Sequence, residues 1–184
     1  HLAQCHVKIL QTQETQDYKT YQAEMQHLVT SVERLDWLAD TCEAIRTSGN
    51  TLILVDRIAT GKELEDRIRD AVFVSGSMNK AADRKEQYDE MAESSDKVIV
   101  ATYGVAAVGI NIPRIFNLVL LEPGKSFVRV IQSIGRGIRK AEDKDFVQIW
   151  DVTSACKYSK RHMAKRKAYY KEANYPFSVE KINI

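Results

Sequence analysis

Short runs of Val, Ile and Leu alternate along the chain with longer stretches of helical pattern, and this alternation restricts the possible folds most strongly. The run "TLILVD" (51–56) shows almost no polar alternation, as expected for a strand that is buried on both faces. Strand and helix patterns follow one another to the end of the chain. This order predicts an α/β fold in which helices cover both faces of a mainly parallel sheet.

The pattern also gives the limits of each expected element. Strands are predicted at 5–10, 51–56, 71–75, 97–102, 116–121, 146–152 and 177–182, the last of them at a sheet edge. Helices are predicted at 18–29, 31–47, about 60–70, 79–94, from 126 onwards, and at 156–173. Thr30-Ser31-Val32-Glu33 is typical of a capping box, and Thr60-Gly61-Lys62-Glu63 of a second helix start. The 184 residues suit one domain of ordinary size.

Charge is distributed unevenly along the sequence. Residues 1–120 contain 13 Lys and Arg but 18 Asp and Glu, whereas residues 121–184 contain 14 basic and 7 acidic residues. A basic last third indicates an anionic partner on that side. A helix whose basic face is simply solvated explains the charge equally well.

The three cysteines favour reduced, buried thiols in a cytoplasmic protein, because their number is odd and their spacing fits neither a disulfide framework nor a metal site. No apolar run approaches the ~18 residues that a membrane helix needs, so we expect no membrane partner. A bacterial or phage-infected cell is the expected host. The chain opens on His1 and not on Met, which suggests a fragment of a longer protein.

Three segments resemble phosphate or magnesium motifs, and each of them fails. "EPGKS" (122–126) lacks the glycine that a P-loop has five residues before Gly124, and "GRGIR" (135–139) lacks the third glycine of a dinucleotide fingerprint. The Asp-Glu pair in "YDEMA" (88–92) lies in a polar helical stretch and not at the end of a buried strand. The sequence therefore contains no complete phosphate cradle and no metal site.

Four other segments, taken together, resemble motifs of superfamily 2 helicases. "TLILVDRIATGKEL" (51–64) resembles motif IV and "VFVSGSMNKAADR" (72–84) the glycine-containing segment after it. "ATYGVAAVGINIP" (101–113) resembles motif V, and "QSIGRGIRK" (132–140) motif VI. The order and spacing of the four match across about 50–151. The chain is most similar to phage recombination helicases of the UvsW type, and less similar to the XPB type of excision-repair helicase.

This resemblance implies that the chain is one half of a motor. Such enzymes have two RecA-like domains with ATP between them, and the first domain carries the P-loop and the magnesium ligands. Residues 1–184 would form the second, C-terminal RecA-like domain, a three-layer fold with a basic helix and strand extension at 153–184. Its partners would be the missing N-terminal domain, ATP with Mg²⁺, and single-stranded or branched DNA. The isolated domain is expected to be inactive.

The resemblance also assigns residues to the nucleotide. Arg139 would be the arginine finger, with Arg136 beside it and Gln132 orienting the water or the γ-phosphate. Guanidinium groups suit this role because they are planar, permanently charged and bidentate toward phosphate. Gly109 and Asn111 would approach the ribose. Many family members have Asp where Asn111 stands, so this position lacks the usual charge.

A second set of residues is assigned to nucleic acid. By resemblance, the backbone would be contacted by Thr102 and Tyr103, and also by Arg57, Ser75, Gly76 and Arg84. An ordinary helix salt bridge explains Arg84 equally well.

The C-terminal stretch "KYSKRHMAKRKAYYKEANY" (157–175) adds Lys165, Arg166 and Lys167 as candidate phosphate ligands, with tyrosines that could stack on bases. A helix that packs its tyrosines on the sheet and leaves a solvated basic face is the alternative.

Three readings of the function remain open at this point. The first is the motor half of an ATP-dependent DNA helicase or translocase. An RNA helicase or a restriction-type translocase would share the same motifs. A nucleic-acid-binding module without ATPase activity belongs to a different class, and a P-loop upstream of residue 1 would exclude it.

Overall fold

The sheet of the computed structural model is wholly parallel, as the alternating pattern predicts. The structure describes residues 4–74, 81–91, 93–107, 114–124, 127–137 and 146–184, with the backbone alone at 81–84, 88 and 134–137. Within these residues the strands are Gln4–Thr12 (β1), Thr51–Val55 (β2), Val72–Val74 (β3), Val98–Thr102 (β4), Asn117–Leu121 (β5), Phe146–Ser154 (β6) and Phe177–Ile182 (β7). Their spatial order is β3-β4-β2-β5-β6-β1-β7, so β7 lies at an edge as expected.

Helices fill the connections between the strands. They are Tyr21–Thr30 (α1), Val32–Ile45 (α2), Ile58–Arg67 (α3), Ala81–Met91 (α4), Tyr103–Ala107 (α5), Phe127–Gly137 (α6) and Lys157–Glu172 (α7). A 3₁₀ turn at Arg46–Ser48 extends α2. The short helix α5 is not anticipated by the sequence pattern, because five residues are too few to show a helical period.

Two helix starts differ from the sequence prediction. Ser31, and not Thr30, is the N-cap of α2, and its hydroxyl accepts a hydrogen bond from the backbone N–H of Arg34. The third helix begins at Ile58, so Thr60 and Gly61 lie inside its first turns. Gly61 is needed there because a Cβ atom would overlap the ring of Phe73.

Two hydrophobic layers hold the helices on the sheet. On one face, Leu54 and Leu120 belong to a cluster with Val130 of α6 and Tyr170 of α7. On the other face, Ile53 and Val119 belong to a cluster that includes α2 and α3. Alternate residues of β2 and β5 thus point into opposite layers, which explains why residues 52–55 and 118–121 are all apolar. Each fully buried Leu, Ile or Val contributes about 1.5–3 kcal/mol. The result is the expected three-layer, RecA-like α/β architecture.

Candidate functional site

The connections that follow β2 and β5 leave in opposite directions, and a crevice lies between them. From β2 the chain passes through α3 to β3 on one side of the sheet, whereas from β5 it passes through α6 to β6 on the other side. Neighbouring strands whose connections leave in opposite directions form a topological switch point, where open α/β sheets usually bind ligands. The residues directly after these strands are Asp56 and Glu122.

A cleft of about 570 Å³ opens at this place, and we call it the switch-point cleft. Its floor is formed by Asp56 after β2, Tyr103 after β4 and Glu122 after β5. Tyr21 of α1 and Tyr158 of α7 also line it. Helices at both ends of the chain therefore complete a cleft that begins at the central strands. The volume is within the range of about 300–1,000 Å³ that is usual for ligand pockets.

Glu122 has an unusual conformation and environment. It is 5% exposed and adopts φ 44°, a left-handed conformation that is uncommon for residues other than glycine. Its Oε1 accepts a hydrogen bond from Nη2 of Arg34 at 2.8 Å, and its Oε2 accepts one from the hydroxyl of Ser159 at 3.2 Å. Burial raises the pKa of Glu122 to about 7, although Arg34 and Arg166 oppose the shift. Backbone strain and a perturbed carboxyl group together are frequent at functional sites.

Arg34 connects this carboxyl group to a second one. The guanidinium group of Arg34 is buried and also donates to Oε1 of Glu14 at 2.5 Å and to the hydroxyl of Thr12. Nε2 of His27 lies 2.7 Å from Oε2 of Glu14. Burial would raise the pKa of Glu14, but the nearby Arg34 and His27 outweigh it and lower that pKa. The carboxyl edge of the sheet therefore contains a connected network of charged side chains.

A further buried ion pair corrects one sequence prediction. Arg166 is 3% exposed, and its Nε and Nη2 atoms donate to the two carboxylate oxygens of Asp151 at 2.7 and 2.9 Å. Its Nη1 donates to the carbonyl of Pro123, and Tyr170 donates its hydroxyl to Asp151. The expectation that Arg166 contacts nucleic-acid phosphates is therefore wrong. Asp151 is fully buried, so it requires this internal partner.

Comparison with known proteins gives the family. The model of the helicase conserved C-terminal domain matches residues 33–141, which is more than half of the chain. The chain belongs to the helicase conserved C-terminal domain family. The match extends from α2 into the segment after α6 and includes all four of the motif-like segments.

Individual relatives agree with this membership. The ATP-dependent DNA helicase UvsW of Enterobacteria phage T4 is 28% identical over 157 residues, which are 82% of this chain and 31% of that protein. The crystal structure of T4 UvsW superimposes with a TM-score of 0.82 at 22% identity, over 97% of this chain and 42% of that one. The C-terminal domain of the DEAD-box protein Dbp5 superimposes with a TM-score of 0.63 at 16% identity, over 98% and 91% of the two chains. This helicase C-terminal domain thus spans about a third of the curated relative.

Three of the residues predicted to contact nucleic acid lie together at the carboxyl edge of the domain. Thr102 ends β4, and its hydroxyl accepts from the backbone N–H of Val105 at 3.3 Å, which caps α5. The hydroxyl of Tyr103 donates to the carbonyl of Leu121 at 2.9 Å. Arg57 precedes α3 and donates to the side chain of Gln26. Their contacts with nucleic acid remain a prediction. The hydroxyls of Thr102 and Tyr103 already have internal partners, so only their exposed parts are available to a ligand.

Of the residues predicted to contact the nucleotide, the structure describes Gln132 and the backbone of Arg136, and both lie on α6. Gln132 is exposed on α6, which runs from the carboxyl edge toward the start of β6 at the amino edge of the sheet. Arg136 follows one turn later on the same helix. Arg139, Gly109 and Asn111 lie outside the described residues, as do Ser75 and Gly76. The backbone of Arg84 is in α4. Gln132 and the backbone of Arg136 therefore lie farther from the carboxyl edge than Thr102, Tyr103 and Arg57.

The basic and aromatic side chains of α7 lie in two environments, the solvent-facing surface and the interface with α6. Lys165 is exposed and Lys167 is half-buried, so both can reach an external anion. The rings of Tyr169 and Tyr170 instead pack edge-on against Phe127 of α6, at centroid distances of 5.5 Å. This packing agrees with the alternative reading for the tyrosines, and it leaves the role of the lysines as a prediction.

Sequence reasoning missed several residues of the site. Asp56 and Glu122 each follow a buried strand directly, in "ILVD" and "VLLE", and an acid at that position was a usable signal. Arg34 gave no such signal, because a single arginine in an amphipathic helix is usually solvated. Within the described part of the chain, no group of three or more His, Cys, Asp or Glu side chains could hold a metal ion. The same residues contain no helix long and apolar enough to cross a membrane. All three cysteines are buried, as expected, and none of them forms a disulfide bond.

Proposed function

We propose that this domain is the second motor half of an ATP-dependent DNA helicase or translocase. It would supply an arginine finger and nucleic-acid contacts to an ATP site that an N-terminal RecA-like domain completes. The observation that carries the proposal is the family match over 33–141, which extends across the segments resembling motifs IV, V and VI. The name of the T4 relative, an ATP-dependent DNA helicase, supports DNA as the substrate.

The switch-point cleft does not fit a triphosphate. The loops after β2 and β5 begin with the carboxyl groups of Asp56 and Glu122, which would repel phosphate oxygens. A complete phosphate cradle needs a glycine-rich loop whose backbone amides point at the ligand, and the sequence contains none. The resemblance to motif VI instead suggests the far end of α6, where the backbone of Arg136 lies, as the side that faces ATP. Its phosphate cradle and Mg²⁺ ligands would belong to the other domain.

At that end of α6, the proposed chemistry is charge stabilisation. Phosphoryl transfer is catalysed mainly by positioning and by cations that offset the charge of the transferring group. Arg139, with Arg136 three residues earlier, would supply guanidinium groups, and residues three apart share one helix face. Exposure of Gln132 one turn before Arg136 suits a residue that orients water or phosphate. Gly109 and Asn111 would contact the ribose.

At the carboxyl edge, the proposed substrate is the backbone of single-stranded or branched DNA. Thr102, Tyr103 and Arg57 would contact it, together with Ser75, Gly76 and Arg84 and with Lys165 and Lys167 of α7. Changes at the ATP site would then move the two domains and carry the strand along. Without the other domain, the chain should show no ATPase activity that nucleic acid stimulates.

Replacement of the proposed arginine finger tests the assignment in the full-length protein. Arg139→Ala should lower steady-state ATP turnover by roughly 10³-fold or more, the scale of an arginine finger. Arg139→Lys should restore little, because an ammonium group cannot reproduce the planar, bidentate guanidinium. ATP affinity should weaken much less, since the other domain would hold most phosphate contacts. Arg129→Ala is the matched control, because Arg129 is exposed on the same helix.

Two results would contradict the assignment of Arg139. If Arg139→Ala lowers the melting temperature strongly while the folded fraction turns over ATP normally, Arg139 is a structural ion-pair partner. The proposal also fails if Arg129→Ala and Arg139→Ala reduce turnover to the same extent.

A further inference from the structure

The switch-point cleft has a lining that the proposed backbone contacts do not use. Tyr21, Tyr158 and His162 surround its mouth, and their rings contact one another. The ring centroid of Tyr21 lies 5.1 Å from that of His162 and 6.2 Å from that of Tyr158. All three side chains are half-buried, so each keeps part of its ring surface accessible. Flat rings grouped around an opening can receive another flat ring, since stacking on aromatic side chains is worth about 1–3 kcal/mol per nucleic-acid base.

The charges of the cleft select against a phosphate inside it. Asp56 is exposed at the cleft, and Glu122 forms part of the wall below it. The oxygens of Glu122 are already paired with Arg34 and Ser159, so the exposed carboxylate of Asp56 is the group that disfavours an anion and can accept hydrogen bonds from N–H groups. Exocyclic amino groups of cytosine, adenine and guanine are such donors. The interior thus suits a neutral, amino-bearing ring.

Basic side chains stand just outside the same opening. Lys157 and Arg161 precede Tyr158 and His162 by one residue each on α7. The Lys157 ammonium and the Arg161 guanidinium lie 5.4 and 5.5 Å from the centroid of the Tyr158 ring. Together with Lys160 they line a shallow groove next to α7. A nucleic-acid strand that lays its phosphates along this groove would have a base next to the cleft.

We propose that the switch-point cleft is a binding site for one unstacked nucleobase of a single strand, stacked on the accessible face of its aromatic lining and hydrogen-bonded to Asp56. The inference rests on the proposed function, because it requires that the domain binds nucleic acid. It adds a base contact to an interface otherwise built from backbone contacts. Among single strands, those with amino-bearing bases would bind more tightly.

Single-stranded oligonucleotides of equal length provide the test. One contains only cytosines and the other is abasic throughout, so that both keep every phosphate. The chain should bind oligo(dC) about 10-fold more tightly by fluorescence anisotropy, which is the scale of one stacked base. The logarithm of affinity should fall with the logarithm of salt concentration at the same slope for both. A ratio near one would overturn the cleft as a base site.

Two variants locate the effect in the cleft. Tyr21→Leu removes the central ring, and Gly124→Leu keeps every ring but narrows the space, since a Cβ at Gly124 would already lie 3.4 Å from the Tyr21 hydroxyl oxygen. Both should bring the ratio of affinities close to one without changing the salt slope. Tyr18→Leu is the matched control, because the Tyr18 ring stacks on His27 outside the cleft. If the ratio persists in both cleft variants, the base stacks elsewhere and the proposal fails.

A comparison of bases tests the part played by Asp56. Oligo(dC) should bind about fivefold more tightly than oligo(dT), because cytosine offers an amino group, whereas the single N3–H of thymine lies between two carbonyl oxygens that a carboxylate repels. Asp56→Asn should reduce this preference, and equal affinities for the two strands in the unchanged chain would overturn the assignment of Asp56. If the proposed function itself is wrong, the binding data differ from all of these outcomes. In that case neither oligonucleotide binds with a measurable salt slope.

Discussion

The two edges of the sheet are both polar, but they are polar in different ways. At the amino edge, Asn50 and Asn117 saturate their side-chain amides with neutral partners. Nδ2 of Asn117 donates to the carbonyls of Ile45 and Gly49 and to the hydroxyl of Ser48, and its Oδ1 accepts from the indole of Trp150 at 3.0 Å. The amino edge also buries the guanidinium group of Arg46, which donates to the backbone carbonyls of Asp96 and Arg69 and to the partly exposed carboxylate of Glu43. At the carboxyl edge, by contrast, carboxylates are buried together with guanidinium groups, around Glu122 and Asp151.

The difference shows what each edge is for. Neutral amides that are fully hydrogen-bonded fix the start of strands without depending on pH, ligand or partner. Buried charges cost desolvation energy and are retained where they position other groups or respond to them. The switch-point cleft lies at the charged edge, beside residues predicted to contact nucleic acid. The amino edge therefore has a structural role, whereas at the carboxyl edge residues that stabilise the fold lie beside residues predicted to bind nucleic acid.

The largest expected effect comes from breaking the buried ion pair. Arg166→Ala leaves the fully buried Asp151 without its charged partner, so the free energy of unfolding should fall by about 3–5 kcal/mol. Denaturant unfolding followed by circular dichroism measures this. Lys165→Ala is the matched control, because Lys165 is an exposed neighbour and should change stability by less than about 0.5 kcal/mol. Equal, small effects of both substitutions would show that Asp151 does not depend on Arg166.

The amino edge should be nearly as sensitive to loss of one amide. Asn117→Ala removes the donor that serves three acceptors and the acceptor of the Trp150 indole, and should cost about 2–3 kcal/mol. The loss should be the same at pH 5 and pH 8, because the amide does not titrate. Asn183→Ala, at an exposed position near the end of the chain, is the control. A loss that varies strongly with pH would remove the distinction between the two edges.

Much of this architecture follows from the sequence, and the parts that do not follow have a physical reason. The pattern of apolar residues predicts each of the strands that the structure describes. Full burial on both faces leaves a continuous apolar run in a central strand such as Thr51–Val55, whereas the edge strand β7 is largely exposed. Helix starts were less certain. Thr60 has a side chain that could cap a helix, but Gly61 packs against Phe73 as a helical residue. The helix α3 therefore begins at Ile58 and includes Thr60. Tertiary packing outweighed the local signal there.

The site was predictable only in part. The segments that resemble motifs IV and V predicted functional residues in the loops after β2 and β4, because their residues stand in a recognisable order. Arg166 looked like its exposed neighbours Lys165 and Lys167, since three consecutive basic residues carry no information on which one points inward. Its partner Asp151 lies fifteen residues earlier in a strand. Pairings between distant segments such as this one, or that of Arg34 with Glu122, require the three-dimensional structure.

A third prediction compares how the stability contributed by each edge depends on pH. Glu122 faces Arg34 from α2, Arg166 from α7 and Asp151 from β6, and burial raises its pKa to about 7. The folded state therefore holds the proton more tightly than the unfolded state, so stability should fall as pH rises from about 4.5 to 7. Relative to Glu122→Gln, which cannot ionise, the native chain should lose about 2 kcal/mol between pH 5 and pH 8, since one pKa unit is worth about 1.4 kcal/mol.

Unfolding free energies of both chains at the two pH values measure that difference, and other titrating groups cancel from it. The Asn117→Ala chain is the internal control, because its stability deficit should not change over the same interval. A native chain that stays parallel to Glu122→Gln across the whole range would mean that Glu122 titrates normally.

The smallest expected effect concerns α7, which begins at the carboxyl edge and runs toward the amino edge. Lys165 and Lys167 lie on its middle turns, where the structure leaves one exposed and the other half-buried. If both contact DNA phosphates, Lys165→Ala combined with Lys167→Ala should lower the salt slope of single-stranded DNA binding by about 0.7 per lost contact. Stability should hardly change, because neither side chain is fully buried. Lys62→Ala on the exposed surface of α3 is the charge-matched control and should leave the slope unaltered. Oligo(dC) and abasic strands should lose affinity equally in the double variant, because phosphate contacts do not distinguish them. If the slope stays the same, the middle of α7 is solvated, and the binding surface ends with the basic residues at the carboxyl edge.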